Sequence, residues 1–238
     1  MTQSTSDQTG ILALVGGGEW QDGCREFDAA LLKAAAEPEV LVLPTAAAFE
    51  NPQSRIAAAT AYFAELGGQV RGLMVLGRTD ANDEANARAV AEAGFVYISS
   101  GSPLHLKSVL KGSLLWDALL GAWQQGATLA ASAAGAMVLC DPMVDPRGGA
   151  YTVGLGLLAN LPVFPHHDTA PAHLMERSTE LRPEGATLIG IDEQTALIRE
   201  PDGAWRVTGE GSVTLYGPER GAEARVYGPD SALPHLGA

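Results

Sequence analysis

The chain has 238 residues, of which 46% are hydrophobic, 18% charged and 6% aromatic, and it carries a formal net charge of −13. That length holds one large or two small domains, and that hydrophobic share can fill a core. The acidic balance, with no cluster of Lys and Arg, excludes the basic footprint of a nucleic-acid partner and disfavours an anionic membrane surface.

No run approaches the roughly 20 consecutive apolar residues of a membrane span, and residues 1–10 are polar with no apolar signal core. The expectation is a frayed tail over residues 1–10, a single domain over 11–238 and a cytoplasmic location. Cys24 and Cys140 allow one disulfide in principle, but read more simply as two reduced thiols.

Residues Ile11 to Val15 form an apolar run that predicts a strand ending in Gly16-Gly17-Gly18. Phe27, Leu31, Leu32 and Ala35 recur at helical spacing. Val40 to Leu43 predicts a buried strand stopped by Pro44, and Ile56, Ala59, Phe63 and Leu66 mark a second helix. Further strands are predicted over Val70–Leu76, Phe95–Ser99 and Ala127–Ala131. Helices are predicted over Asp80–Ala93, His105–Leu110, Leu114–Gln125 and Gly135–Cys140.

Apolar strands alternating with helices predict an α/β fold: a three-layer, doubly wound, mostly parallel sheet of flavodoxin-like type. Functional loops of such sheets lie beyond the carboxyl ends of the strands. After residue 145 the texture changes to short runs: Thr187–Ile191, Thr195–Arg199, Trp205–Thr208, Ser212–Tyr216 and Ala224–Tyr227. Turn formers separate them, and they are expected to pair antiparallel at the sheet edge.

Four segments have the composition of chemistry-bearing loops. Ala130-Ala131-Ser132-Ala133-Ala134-Gly135-Ala136 joins an apolar strand to an apolar helix, the setting of a Gly-x-Ser-x-Gly nucleophile elbow. In that frame the nucleophile position is Ala133 and the N–H of Ala134 faces an oxyanion. The same residues also read as a small-residue helix start capped by Ser132.

Ser99-Ser100-Gly101-Ser102-Pro103 follows the fourth strand and offers exposed N–H groups, or a plain Gly/Pro turn. Pro165-His166-His167-Asp168 can supply a histidine base, or exposed loop histidines; adjacent histidines make a poor metal site and no metal is expected. Gly190-Ile191-Asp192-Glu193-Gln194-Thr195-Ala196-Leu197 places acids between two apolar strands, to orient a histidine or to form a polar hairpin turn. Gly16-Gly17-Gly18-Glu19 lacks the full Gly-x-Gly-x-x-Gly spacing, so no nucleotide cofactor is expected.

In this order, Leu14-Val15-Gly16-Gly17-Gly18-Glu19, Ser100-Gly101, Ser132-Ala133-Ala134-Gly135-Ala136, Pro165-His166 and the Ile191-Asp192-Glu193 segment resemble the cyanophycinase and dipeptidase E family of serine peptidases, which have a class I glutamine amidotransferase-like fold. The resemblance implies a Ser-His-acid triad with its serine position on Ala133, its histidine on His166 (His167 the alternate) and its acid on Glu193. Gly101 or Ser102, with Ala134, would form the oxyanion hole, and Ser132, His167 and Asp192 would be accessory.

The implied partner is a small aspartyl peptide or related amide, and a homodimer follows from the family alone. Cyanophycin, the arginine-bearing polymer, is an alternative substrate that fits less well, because Asp168 to Glu180 contains only Arg177 where the family members that cut cyanophycin carry an arginine-rich segment. Alanine at 133 admits three readings: an inactivated hydrolase, a natural pseudoenzyme that binds without cutting, or an enzyme using Ser132 or a water activated by His166.

Overall fold

The structure, a computed structural model, describes residues 9–219, 221–234 and 236. Residues 1–8 of the expected tail lie outside the described residues. The first half runs β1 (Leu12–Val15), α1 (Arg25–Ala34), β2 (Glu39–Leu43), α2 (Pro52–Glu65), β3 (Gln69–Gly72), α3 (Arg78–Ala81), α4 (Glu84–Ala91), β4 (Phe95–Ile98), α5 (Pro103–Leu110), α6 (Leu114–Gln124), β5 (Thr128–Ser132) and α7 (Ala134–Leu139).

Its five strands pair in parallel in the order β3-β2-β4-β5-β1. Both faces are covered, and the two-residue strand period divides the apolar side chains between them. Leu12, Leu14, Leu41, Leu43, Val96 and Ile98 join one core cluster, whereas Ala13, Val15, Val40, Val42, Phe95 and Tyr97 join the other. Cys24 and Cys140 are free and buried in opposite clusters, which excludes a disulfide between them. Burial pushes both thiols up to about 12, so both are poor nucleophiles.

The single helix expected over Asp80–Ala93 is two helices. The Asp83 carboxylate accepts hydrogen bonds from the Ala85 and Asn86 N–H groups and starts α4 afresh. The third strand ends at Gly72, short of the expected Leu76.

The second half comprises β6 (Cys140–Asp141), β7 (Met143–Val144), β8 (Tyr151–Thr152), β9 (Leu158–Ala159), β10 (Val163–Phe164), α8 (Ala172–Glu180), β11 (Leu188–Ile191), β12 (Thr195–Arg199), β13 (Trp205–Gly209), β14 (Val213–Tyr216), β15 (Arg225–Tyr227) and β16 (Ala232–Leu233). Strands β12, β13 and β16 continue the main sheet antiparallel from β1 and give eight strands in the order β16-β13-β12-β1-β5-β4-β2-β3. The fold is therefore the expected α/β doubly wound, mostly parallel sheet with an antiparallel C-terminal edge.

One expectation needs correcting. Strands β11, β14 and β15 leave that edge and form a second sheet with β10, in the order β10-β11-β14-β15. The chain passes from the second sheet into the first at Asp192-Glu193-Gln194, with Gln194 at φ 52°. The Gly190–Leu197 segment is thus a corner between sheets and not a hairpin turn. Among the described residues no helix is long and apolar enough to cross a membrane.

Candidate active site

The corner, the end of β1 and the loops after β4 and β5 meet at the carboxyl edge of the parallel sheet. Ala133 is the pivot between β5 and α7, at φ 43° and ψ −99°. Its N–H donates to Val15 O at 2.9 Å, and its carbonyl accepts from Met137 N at 2.9 Å. A non-glycine residue held there stores roughly 1–3 kcal/mol of strain. The helix cap is Ala133 itself, so Ser132 is not the N-cap. Room for the turn comes from Gly135, where a Cβ would lie 3.1 Å from both Ile98 O and the Ala131 Cβ. Ala133→Gly should relieve the strain and raise unfolding free energy by about 1 kcal/mol in urea titrations, net of the glycine's greater unfolded-state entropy.

Ser132 is fully buried, and its hydroxyl donates to Glu19 Oε2 at 2.9 Å. It points beneath the elbow and does not line the cleft, which removes it as an alternative nucleophile. Glu19 lies in the loop after β1, its side chain 4% exposed. Its Oε1 also accepts from the Ser100 N–H at 3.0 Å and from the Ser100 hydroxyl, with the Arg55 guanidinium 3.6 Å away.

The loop after β4 holds Gly101 at φ 146°, against the loop that follows β2. A Cβ on Gly101 would lie 2.4 Å from Ala46 O, so only glycine fits. The Ser102 N–H donates to Ala46 O at 2.8 Å, and the Ser102 hydroxyl caps α5 through the His105 N–H at 3.3 Å. Ser102 is thereby corrected as an oxyanion donor, because its N–H is already spent. The Gly101 and Ala134 N–H groups have no partner among the described residues.

The two adjacent histidines have different fates. His166 sits at φ 52°, and its N–H donates to Gly16 O at 2.7 Å. Its Nδ1 is 2.8 Å from Glu193 Oε1, and its Nε2 has no partner among the described residues. Glu193 is fixed in turn by its own N–H, which donates to Asp168 Oδ1 at 2.9 Å, and by the Thr169 hydroxyl at 3.3 Å. This is the arrangement of a base with an oriented ring and a free lone pair or proton.

His167 has neither nitrogen free. Nδ1 is 3.1 Å from Asp192 Oδ1, and Nε2 is 3.0 Å from the Tyr216 hydroxyl. Burial, and then the Asp192 charge, raise the Tyr216 hydroxyl above its usual range, which keeps it protonated to donate to Nε2. Asp192 Oδ2 accepts from the Ser212 N–H and hydroxyl, both at 2.8 Å. His167 and Asp192 therefore tie the second sheet together, while His166 and Glu193 face solvent.

A cleft of about 570 Å³ opens over these groups. Ala133, Ala134, Gly101, His166 and Glu193 line it, together with the polar Ser100, Arg55 and Glu50 and the apolar Met137, Phe164 and Leu174. Of the residues singled out from sequence, Ser102, Ser132, His167 and Asp192 stand outside it. Sequence reasoning gives Glu19, Arg55 and Asp168 no role in the site; Glu19 closes a glycine-rich motif that carries the family resemblance without assigning its carboxylate a function. Among the described residues no group of three His, Cys, Asp or Glu side chains converges to hold a metal.

Residues 12–207 match the model of peptidase family S51. The chain is 25% identical over 229 residues to the cyanophycinase of Synechococcus elongatus, covering 91% of this chain and 71% of that protein. It is 29% identical over 168 residues to the cyanophycinase of Trichormus variabilis, covering 66% of this chain and 56% of the relative. A solved peptidase from an acI-B1 actinobacterium superposes with a TM-score of 0.84 at 30% identity, covering 94% of this chain and 96% of that one. A putative peptidase E from Listeria monocytogenes EGD-e shares the fold, with a TM-score of 0.59 at 16% identity over 92% of this chain and 98% of that one. A family match over most of the chain, with a superposable peptidase of nearly the same extent, identifies the cleft's setting: the chain belongs to peptidase family S51.

Proposed function

We propose that the cleft is the active site of a Ser-His-Glu hydrolase of aspartyl-type peptides or related amides, in which Ala133 occupies the nucleophile's place. The observation that carries this reading is Ala133 itself: an alanine held at φ 43° in a cleft that a histidine–glutamate pair also lines. Alanine gains nothing from that strain, whereas a serine there presents its hydroxyl to a base.

With a hydroxyl at 133, the serine oxygen attacks the amide carbonyl and His166 Nε2 takes its proton. Glu193 holds the opposite ring nitrogen and stabilises the imidazolium. The carbonyl oxygen becomes an oxyanion, to which the Gly101 and Ala134 N–H groups donate hydrogen bonds. His166 then gives the proton to the leaving amine, and water repeats the sequence to free the acid. With alanine at 133 the first bond cannot form, so the chain as it stands binds in the cleft without acyl transfer.

A cyanophycin-degrading role has support in the names of the curated relatives. Against it stands the segment Asp168–Glu180, with Arg177 its only arginine. The test is Ala133→Ser, assayed on a panel of α- and β-aspartyl dipeptides and on cyanophycin. Release of free amine from the dipeptides is expected. A folded serine variant that is silent on the whole panel would sink the proposal.

Gly17 sets the base. It has φ 132°, and a Cβ there would lie 2.3 Å from His166 Cε1. Gly17→Ala in the Ala133→Ser protein should push the ring off Glu193 and lower kcat/KM by at least about 100-fold, the scale of a 1 Å misplacement of a catalytic group.

A further inference from the structure

The two oxyanion donors sit on different loops, and the backbone does not join those loops. The ladder between β4 and β5 ends at the pair Ile98–Ala131. Past that pair the Ser99 N–H turns to Leu43 O, the Ser102 N–H to Ala46 O and the Ala133 N–H to Val15 O. Gly101 and Ala134 are thus carried on segments whose backbone bonds lead away from each other.

We infer that Glu19 is the positioning residue that sets the oxyanion hole, by clamping the Gly101 loop to the elbow; the inference rests on the hydrolase reading above. The carboxylate comes from a third segment, the loop after β1, and enters between the other two. Oε1 takes the N–H and hydroxyl of Ser100, the residue before Gly101. Oε2 takes the hydroxyl of Ser132, the residue before Ala133 and two before Ala134. One rigid group therefore fixes both donors relative to each other.

Two further features suit this role. A carboxylate with a 4% exposed side chain must have its lone pairs satisfied, and three donors from two loops do that. A negative charge behind an oxyanion hole also opposes the charge the hole must accept. Arg55, 3.6 Å from Oε1 and on the cleft wall, offsets it. Glu19 touches no substrate in this account, because it does not line the cleft.

The clamp has a test in the chain as it exists. Glu19→Gln keeps the shape but replaces charge-assisted hydrogen bonds with weaker neutral ones, and Glu19→Ala removes all three. Amide hydrogen exchange, followed by NMR at Ser102 and Ala133, the hydrogen-bonded amides beside Gly101 and Ala134 on the two segments, should become at least about tenfold faster in both variants, while core amides of β1 and β5 stay unchanged. Unchanged rates at those two amides, or a uniform acceleration of all amides, overturns the clamp. If Glu19→Ala does not fold, Glu19→Gln alone decides.

In the Ala133→Ser protein, Glu19→Gln should lower kcat by about 10- to 100-fold with KM within about twofold, since the donors act in the transition state. Unchanged kcat, or a rise in KM alone, also overturns it. If Ala133→Ser is silent with Glu19 in place, it is the hydrolase reading that has failed, and the amide exchange still decides the clamp.

Discussion

Ala133→Ser is expected to raise aspartyl-dipeptide hydrolysis by roughly 10⁴- to 10⁶-fold over the chain as it stands, the range lost when one member of a serine triad is removed elsewhere. The size of the gain depends on how much of the machinery is already in place. His166 has its ring fixed through Nδ1 by Glu193 and its other nitrogen open. The Gly101 and Ala134 N–H groups lack partners to compete with an oxyanion among the described residues. The backbone at 133 already holds the elbow conformation, and serine adds one oxygen to the same Cβ, so no new backbone strain is introduced. The cleft of about 570 Å³ has room for that oxygen.

Companion variants separate triad chemistry from a general change. In the serine protein, His166→Ala should return activity almost to the starting level. Glu193→Gln should cost on the order of 10⁴-fold, because the amide no longer selects the ring tautomer that accepts the serine proton. His167→Ala, by contrast, should lower stability while sparing most of kcat, because its nitrogens are spent on Asp192 and Tyr216. A serine variant whose activity survives His166→Ala is not using this triad.

The sequence makes the scaffold legible where local physics is decisive. Strands buried on both faces are continuous apolar runs, and β1, β2, β4 and β5 are such runs. The elbow is legible because close approach of α7 to β4 demands a small residue at 135, where a Cβ would lie 3.1 Å from Ile98 O. The choice between His166 and His167 is not, since neighbours in sequence differ here only in which partners Asp192, Tyr216 and Glu193 bring from afar.

Ser102 was over-read for a similar reason: its N–H is taken by Ala46, which local sequence does not reveal. The second sheet escaped because its pairing of Leu188 with Tyr216 skips over the strands β12 and β13 lying between them in the chain. Glu19 escaped because its partners lie 81 and 113 residues away. These three misses are long-range polar contacts or pairings, which periodicity does not encode, whereas the split of the Asp80–Ala93 helix is a local cap by Asp83.

The second large effect concerns stability and lies on the opposite face of the sheet from α7, at Asp28. Helix α1 carries it on the face of Leu31 and Leu32, and it is 0% exposed. The Tyr62 hydroxyl is 3.0 Å from Oδ2, and Oδ1 has no partner. Burial raises this carboxyl from the ordinary 3.8 to about 8, and the Tyr62 hydrogen bond offsets only part of that. Between those two values the folded chain holds a proton that the unfolded chain has released. Stability must therefore fall as pH rises from about 4 to about 8, and level off above.

Asp28→Asn removes this linkage. Asparagine accepts the same Tyr62 hydrogen bond but buries an amide N–H pair with too few acceptors, so its absolute stability is no guide. The informative quantity is the change in unfolding free energy between pH 4 and pH 9. The parent should lose on the order of a few kcal/mol more than the variant over that interval. Repulsion among the other acids of a chain with net charge −13 grows over the same interval, but it is common to both proteins and cancels in the difference. Urea titrations at the two pH values measure it directly. Parallel losses in parent and variant would mean that Asp28 is already ionised in the folded chain, and that the buried carboxyl has found a donor for Oδ1.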